Sequence, residues 1–361
     1  MFKLLRSEAG QGLVFVIMVT VLLFFLTSVV TAMTIQTIHN SNEQEEYIKA
    51  YWAADAGIEK AVAAIRDNKA LLNNIIYAPD GVSISVLASS FENTSFTVTA
   101  QKLSRDFGFS LTLTSQGAYG SAQKSLKCIA DIYLMNDYLS GITVLPQTPA
   151  SLILPENLIV QGDLLVKGSV EMPNNAQITG NIYASGNISG ADPSILSGVS
   201  YINYEYLPSF PFLDSAYYQQ SAAAHGHVYN FNQVFNSVHT VNGGYYYVNG
   251  DVSITGNYYG NGVLFSTGNI EITGDLTANH GNLTLICLGE VSIPANSHVE
   301  ANIIAQSFLS VGSGATLQGM ICVGALIAPD GFSLYKTNTV WEDALTMQIK
   351  MSDWQETRSV F

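Results

Sequence analysis

Acidic and amide side chains recur at matched positions in the second half of the chain. Each follows a glycine and opens a segment of the form Gly-[Asp/Asn]-apolar-x-apolar-x-Gly, at Gly162-Asp163, Gly180-Asn181, Gly250-Asp251 and Gly268-Asn269. Clustered carboxylates could bind calcium or act as the acid and base of glycoside cleavage. Calcium-binding repeats of the GGxGxDxUx type are absent from the sequence, and an equivalent corner in each repeat accounts for these residues. We therefore predict a structural role for them and no catalytic residue.

Histidines and cysteines are the other side chains that could do chemistry. His225 and His227 form a His-x-His pair near His239, but a metal site needs a fixed set of ligands, and HExxH, GxSxG, phosphate-loop and GxGxxG motifs are absent from the sequence. Cys287 and Cys322 lie in apolar runs almost two repeats apart, which places their Cα atoms about 9.6 Å apart in stacked strands. That distance is too long for a disulfide. We predict buried free thiols, no metal, no cofactor and no enzymatic activity.

Composition argues against two further classes of protein, mostly disordered chains and nucleic-acid-binding proteins. The chain has 361 residues, 48% of them hydrophobic and 12% charged, which rules out disorder for most of its length. Its 14 Lys and Arg residues face 28 Asp and Glu residues, a net charge of -14. This charge repels phosphate backbones, so nucleic acid is not an expected partner.

The repeats predict the elements that carry these corners. Gly162 and Gly180 are 18 residues apart, as are Gly250 and Gly268, and the two glycines within each segment are six apart. Three short strands joined by glycine corners fit this period, because glycine adopts the left-handed backbone that a tight corner needs. Alternation predicts inward and outward positions along each strand. Val252, Ile254, Ile270 and Ile272 are expected inside, and Ser253 and Glu271 outside. We place a three-faced β-helix at 151–331, a helical insertion at about 191–243 and a C-terminal cap at 332–361.

An apolar helix precedes this region. Leu13 to Met33 carry no charge and span about 31 Å as a helix, enough to cross a bilayer. Lys3 and Arg6 precede the segment, which predicts a cytoplasmic N-terminus. Helical periodicity continues to about residue 72, and strands with alternating polarity follow within 73–150. A stripe of small residues, which lets a helix or sheet approach closely, is formed by Ala50, Ala54, Gly57 and Ala61. The predicted class is α+β, in the order long helix, small antiparallel sheet and β-helix.

The leader ending in Gly10, the apolar helix and the segment AYWAADAGIEKAV together resemble the N-terminus of PilX-type minor pilins, over about residues 8–66. The resemblance implies that a prepilin peptidase removes residues 1–10 and leaves Gln11 as a methylated N-terminus. It also implies assembly with other pilins by the pilus machinery, and we assign Phe15 and the small stripe to subunit packing. Most type IV pilins have Glu where this chain has Phe15, and the missing carboxylate favours a minor or tip subunit.

The glycine repeats resemble polymer-forming bactofilin-type β-helices, which implies a right-handed coil. The sequence hypothesis is a structural pilus or pseudopilus subunit, held in the inner membrane as a precursor and displayed at the cell surface after assembly. The alternatives are a membrane-anchored or secreted β-helix enzyme acting on carbohydrate, and a surface adhesin that forms no filament. A surface glycan is a further candidate partner, because Tyr245–Tyr247 and Tyr258–Tyr259 could stack on sugars.

Overall fold

A computed structural model of the chain describes residues 8–105, 107–134, 138, 141–173, 175–190, 197–236, 239–240, 244–336 and 348–357. The chain divides into two compact units. The first comprises Met1–Leu103, Leu111–Ala130 and Met351–Phe361, and the second comprises Ser104–Ser110 and Asp131–Lys350. The predicted order of long helix, antiparallel sheet and β-helix is confirmed.

Two helices begin the first unit, α1 (Glu8–Asp67) and α2 (Lys69–Tyr77). The sequence predicted one helix to residue 72, whereas the structure interrupts it at Asn68. The Asn68 backbone leaves the helical region, with φ -113° and ψ 97°, and its side chain accepts hydrogen bonds from the backbone N–H groups of Ala70 and Leu71 at 3.0 and 3.1 Å. Asn is a strong N-cap residue, so it starts a new helix here.

A five-stranded sheet completes this unit. Its strands are β1 (Ser83–Phe91), β2 (Thr94–Ser104), β3 (Phe109–Tyr119), β4 (Ala122–Tyr133) and β28 (Gln348–Thr357), in that order across the sheet. Side chains alternate between buried and exposed along β2, which is typical of a sheet with one covered face. We expected residues 332–361 to cap the β-helix, but β28 instead pairs beside β4. Strand β28 satisfies backbone groups that would otherwise form an open sheet edge.

The second unit is a β-solenoid of about 10 turns with one short helix, α3 (Ser215–Ala223). Its strands are β5 (Gly141–Val144), β6 (Leu152–Ile153), β7 (Ile159–Gln161), β8 (Asp163–Val166), β9 (Val170–Glu171), β10 (Gln177–Ile178), β11 (Ile182–Ala184), β12 (Ile188–Ser189), β13 (Ser200–Tyr201), β14 (Val228–Tyr229), β15 (Gln233–Asn236), β16 (His239–Thr240), β17 (Gly244–Val248), β18 (Val252–Tyr259), β19 (Gly262–Ser266), β20 (Ile270–His280), β21 (Leu283–Cys287), β22 (Val291–Ile293), β23 (His298–Glu300), β24 (Asn302–Val311), β25 (Thr316–Gln318), β26 (Ile321–Ile327) and β27 (Ser333–Tyr335).

Strand register confirms the predicted repeat. Leu164 pairs with Ile182, and Val252 pairs with Ile270, in parallel strands 18 residues apart. The inward positions predicted at Val252, Ile254, Ile270 and Ile272 are all buried in one continuous core. Glu271 is exposed on the outer surface, as alternation requires.

The chain does not fill the solenoid in sequence order. It enters at β5, which pairs with β8 on one side and with β26 on the other. It continues through β8 and β11 to β13, passes through α3, and re-enters at β14. Strands β17, β19, β21 and β24 then return the chain to β26, beside the strand at which it entered. The sequence placed the first coil at 151, but β5 already belongs to the stack.

One row of strands is buried on both sides, which explains its unbroken apolar runs. In β19, Leu264 points into the solenoid core, whereas Val263 and Phe265 belong to an outer cluster that contains α3. Tyr218 of α3 stacks on Phe265, with ring centroids 4.5 Å apart, and Tyr247 stacks on the other face at 5.6 Å. The predicted helical insertion at 191–243 is therefore a nine-residue helix lying on the outside of the solenoid, flanked by short strands.

Candidate functional site

The first half of α1 is an uncovered apolar surface. From Leu13 to Ile38, large hydrophobic side chains are exposed in every turn, and Phe15 is 68% exposed. By length and composition, Gly12–Asp67 contains a segment able to cross a membrane, and none of that segment is buried in the structure. In water each of these large side chains forgoes the roughly 1.5–3 kcal/mol that burial would contribute, so the exposed surface strongly favours association with apolar surroundings. The surface therefore requires lipid or other helices around it.

Threonine hydroxyls in this segment do not interrupt its apolar character. Each donates a hydrogen bond to a backbone carbonyl three or four residues earlier, at 2.8–3.0 Å, as seen for Thr20, Thr27, Thr31, Thr34 and Thr37. A hydroxyl bonded within its own helix does not need water. The segment can therefore lie in lipid, or between neighbouring helices, without an unpaired donor from these side chains.

Charged residues mark the next part of α1. Glu45 and Lys49 form an ion pair at 2.7 Å, and His39 lies 3.3 Å from Glu43. The hydrogen bond from Lys49 lowers the pKa of the Glu45 carboxyl, and the same bond raises the pKa of Lys49. This polar stretch separates the exposed apolar segment from the part of the helix that packs on the sheet.

The small stripe packs on the chain's own sheet. Ala50, Ala54 and Ala61 are fully buried, and a Cβ added at Gly57 would lie 2.4 Å from Ser115 Oγ. The approach is reciprocal, because a Cβ at Gly117 of β3 would lie 2.3 Å from both the Ala50 carbonyl oxygen and the Ala54 nitrogen. We assigned this stripe to packing between subunits. The structure corrects that assignment, because a surface already buried within one subunit cannot contact a neighbour.

The remaining N-terminal predictions concern the cleavage site. Gly10 and Gln11 lie in the first turns of α1, and residues 1–7 of the predicted leader lie outside the described residues. Phe15 follows one turn later on the exposed surface, in keeping with a role in contacts outside the chain.

The corner carboxylates and amides bind the backbone of the next coil. Asp251 Oδ1 accepts the N–H of Asn269 at 2.9 Å, and Asn269 Oδ1 accepts the N–H of Glu290 at 3.0 Å. In the other half of the stack, Asp163 Oδ1 accepts the N–H of Asn181 at 2.8 Å. Each side chain thereby satisfies a backbone donor that the corner leaves unpaired. This ladder gives these acidic and amide side chains a structural role.

Glycine is required at the corners for two reasons, a left-handed backbone and a lack of space for a side chain, and the sequence analysis predicted only the first. Gly162 and Gly250 have φ values of 134° and 150°, in the region that favours glycine. Gly180 and Gly268 lie outside that region, so the predicted left-handed backbone is wrong for them. A Cβ at Gly268 would instead lie 2.3 Å from Asp251 Oδ1. Glycine is needed at this corner because the side chain of the ladder below occupies the space.

The histidines and cysteines are placed as packing residues. The His227 ring stacks on Tyr246 at 4.1 Å, and His225 Nδ1 lies 2.9 Å from the Ser221 carbonyl oxygen. The side chain of His239 lies outside the described residues. No group of three or more His, Cys, Asp and Glu residues that could hold a metal occurs in the described part of the chain.

All three cysteines are buried and free, as predicted for Cys287 and Cys322. Cys322 pairs with Ile304 and Cys287 pairs with the adjacent Ala305, which confirms a separation of two coils. Burial raises the pKa of the Cys287 thiol to about 12 and that of Cys128 to about 11. These thiols are therefore protonated at neutral pH and poor nucleophiles.

A recess that the sequence did not predict lies on the solenoid between β20 and β24. Its lining includes Glu300, Asn302 and Gln318, and its volume is about 170 Å³. A sequence signal for it exists, because Gly268 and Gly289 are 21 residues apart, whereas Gly250 and Gly268 in the preceding coil are 18 apart. The three added residues lie within β20, whose register with β18 shifts between Ile272 and Leu276 and again between Ala278 and His280.

No protein-family model and no curated protein matches the chain. Among solved structures, the competence-associated pilin ComZ from Thermus thermophilus is similar at 12% identity and a TM-score of 0.36, over 86% of this chain and 98% of that one. Two structures of an ice-binding protein (LeIBP) from Arctic yeast are similar at 14% and 13% identity and TM-scores of 0.32 and 0.28, over 57% and 58% of this chain and 94% and 98% of theirs. TM-scores this low do not establish a shared fold, so fold and function rest on the residues of this chain.

Proposed function

We propose that this chain is a structural subunit of a type IV pilus or a related pseudopilus, which it joins through the first half of α1. The precursor lies in the inner membrane with its N-terminus in the cytoplasm. A prepilin peptidase then cleaves after Gly10, and the assembly machinery transfers α1 from lipid into the helical core of the filament. The solenoid is displayed outside the cell.

The observation that supports this proposal most is the division of one continuous helix into two halves. Sixty residues at about 1.5 Å each give α1 a length of roughly 90 Å. Its first half exposes apolar side chains all round, and its second half is buried on the sheet through Ala50 and Ala54. A helix that is apolar on every side must be surrounded by lipid or by other helices. A filament core of such helices provides that environment after extraction from the membrane.

The position of the subunit within the filament follows from Phe15. Because residue 15 is Phe and not Glu, it offers no carboxylate to pair with the N-terminal amine of a neighbouring subunit. Burying an unpaired ammonium group costs free energy. We infer that the chain occupies a site with one neighbour missing, at the tip, or is present as a minor component.

Catalysis on carbohydrate is the main rival function. The ladder already occupies the repeated carboxylates, since Asp163 and Asp251 each accept a backbone N–H of the next coil. We propose that the solenoid serves display rather than turnover. A glycan-degrading activity of the purified chain that is lost on substitution of exposed acids would support the rival.

Shearing of the cell surface tests the filament proposal. Cells producing the full chain with an epitope tag after Phe361 are sheared, and the filament fraction is probed for the tag. The Gly10→Val variant, in which a bulky side chain occupies the predicted cleavage site, should stay in the membrane fraction.

The matched control is Gly12→Val, which places the same side chain two residues beyond the cleavage site, where a Cβ meets nothing within 4 Å. This variant should enter the filament fraction as the parent does. Equal surface release of the parent and Gly10→Val would contradict processing, and retention of the parent in the membrane would favour a permanently anchored adhesin.

A further inference from the structure

The recess arises where the solenoid changes width. Leu276 pairs with Val299, and Thr284 pairs with Asn302 in the same two neighbouring coils. Between these paired positions the upper coil contains residues 277–283, whereas the lower coil contains only residues 300–301. The longer corner has no strand partner beneath it over most of its length, so a space opens below it on the outer surface.

Polar groups converge on this space. The lining residues are Tyr258, Ala278, Gly281, Asn282, Leu283, Glu300, Ala301, Asn302 and Gln318. Asn302 is 2% exposed, and its Oδ1 atom has no hydrogen-bond partner within the described part of the chain. A buried acceptor without a partner costs about 1–3 kcal/mol, so a ligand or water that donates to it is favoured.

Neighbouring residues hold Glu300 in place at the recess. Its Oε2 atom accepts the N–H of Ala278 at 2.6 Å, and its Oε1 atom lies 3.1 Å from His298 Nε2. The Tyr258 hydroxyl donates to the Glu300 carbonyl oxygen at 2.6 Å. The carboxylate is therefore fixed before any ligand arrives, yet its two oxygens retain lone pairs for further donors.

We infer that this recess binds one sugar unit of a glycan through its hydroxyl groups. Carboxylate and amide oxygens at Glu300, Asn302 and Gln318 can accept from hydroxyls, and the amide nitrogens can donate to them. A volume of about 170 Å³ exceeds the roughly 30 Å³ of one water and is smaller than a drug-sized pocket, which suits a single ring.

The lining argues against two other uses. A divalent cation needs several charged or carbonyl oxygens converging at 2.0–2.6 Å, and Glu300 is the one carboxylate among the described residues that line the recess. Glycoside cleavage needs a pair of carboxyl groups, and the lining residues that the structure describes supply one. The site therefore binds sugar without cleaving it, and it does not depend on whether the chain enters a filament.

Saturation-transfer NMR on the full chain tests this inference. The protein is solubilised in octaethylene glycol monododecyl ether, because a maltoside detergent would itself supply sugar. D-glucose, D-galactose, D-mannose and N-acetyl-D-glucosamine are titrated one at a time. At least one should receive saturation from the protein, and loss of one hydrogen bond in Asn302→Ala or Gln318→Ala should weaken its binding about tenfold.

Gln161→Ala is the matched control, because Gln161 is exposed two coils further along the same outward row as Gln318, where no widened corner occurs. It should bind as the parent does. Gln318 lies at the exposed rim, so its variant tests the site even if Asn302→Ala fails to fold. The inference is overturned if none of the four sugars receives saturation, or if Gln318→Ala binds sugar as tightly as the parent. It is also overturned if CaCl₂ raises the melting temperature of the parent but not of Asn302→Ala, while no sugar raises it.

Discussion

Replacing Gly117 of β3 by alanine should push α1 away from the sheet, because the added methyl group has no space between them. A Cβ there would lie 2.3 Å from the Ala50 carbonyl oxygen and from the Ala54 nitrogen, and 2.9 Å from Ala54 Cα. All three contacts are to helix backbone, so no side chain can rotate away. In Gly117→Ala the helix must move by about 1 Å to restore ordinary van der Waals separation, which begins near 3.5 Å.

The expected cost of this movement is about 3 kcal/mol. Overpacking of a core typically costs about 1–3 kcal/mol, and rigid backbone on both sides places this case at the upper limit. The shift also loosens Ile58 and Ile65, which are fully buried beneath the same stretch of helix. A loss of about 3 kcal/mol accelerates local opening roughly a hundredfold.

Hydrogen exchange measured by mass spectrometry reports this opening directly. Peptides covering residues 50–65 should exchange about a hundredfold faster in Gly117→Ala than in the parent, while peptides from the solenoid should not change. Gln116→Ala is the control, because Gln116 is exposed on the opposite face of the same strand. Unchanged protection of residues 50–65 in Gly117→Ala would refute the packing of α1 on this sheet.

Three further predictions concern the corners, a thiol and the filament contact. Asp251→Ala removes the acceptor for the next coil's backbone N–H and should lower the free energy of unfolding of the solenoid by about 1 kcal/mol in urea titrations, whereas Glu271→Ala on the outer surface should change it by less than about 0.5 kcal/mol. Burial raises the pKa of Cys287 from 9.0 to about 12, so its contribution to stability is complete below pH 9 and is lost as the pH rises to 12. The melting temperature should therefore fall less over this range in Cys287→Ala than in the parent. Phe15→Glu supplies the missing carboxylate and should raise the amount of this chain per filament, measured by quantitative immunoblotting of sheared fractions; an unchanged amount would contradict the assigned role of Phe15.

The elements that local sequence patterns predict are ones whose partners are near in sequence. The 18-residue spacing of Gly162 and Gly180 predicts two adjacent coils, because each coil contacts the next one along the chain. The junction of β5 with β26 was not predictable in this way, since Ile142 and its partner Ile321 are separated by about half of the chain. Strand β5 is buried throughout, as are Ile321–Val323, the residues of β26 that pair with it, so neither pairing segment shows an alternating pattern.

In the candidate site, too, features that depend on one segment are predictable from sequence, and features that depend on distant partners are not. An uncharged run predicts the exposed half of α1, because that property belongs to the segment alone. The small stripe predicts close approach but not the partner, since Gly57 could receive another helix or a sheet equally well. The recess depends on a mismatch between two coils, and only pairing of Leu276 with Val299 shows which corner remains unsupported.

The N-terminal peptide of the chain, isolated from sheared surface filaments and analysed by mass spectrometry, tests the filament proposal most directly. Processing after Gly10 predicts a peptide that begins at Gln11 and carries one added methyl group. A filament fraction that lacks the chain, or a surface-exposed chain that still begins at Met1, would contradict the proposed function.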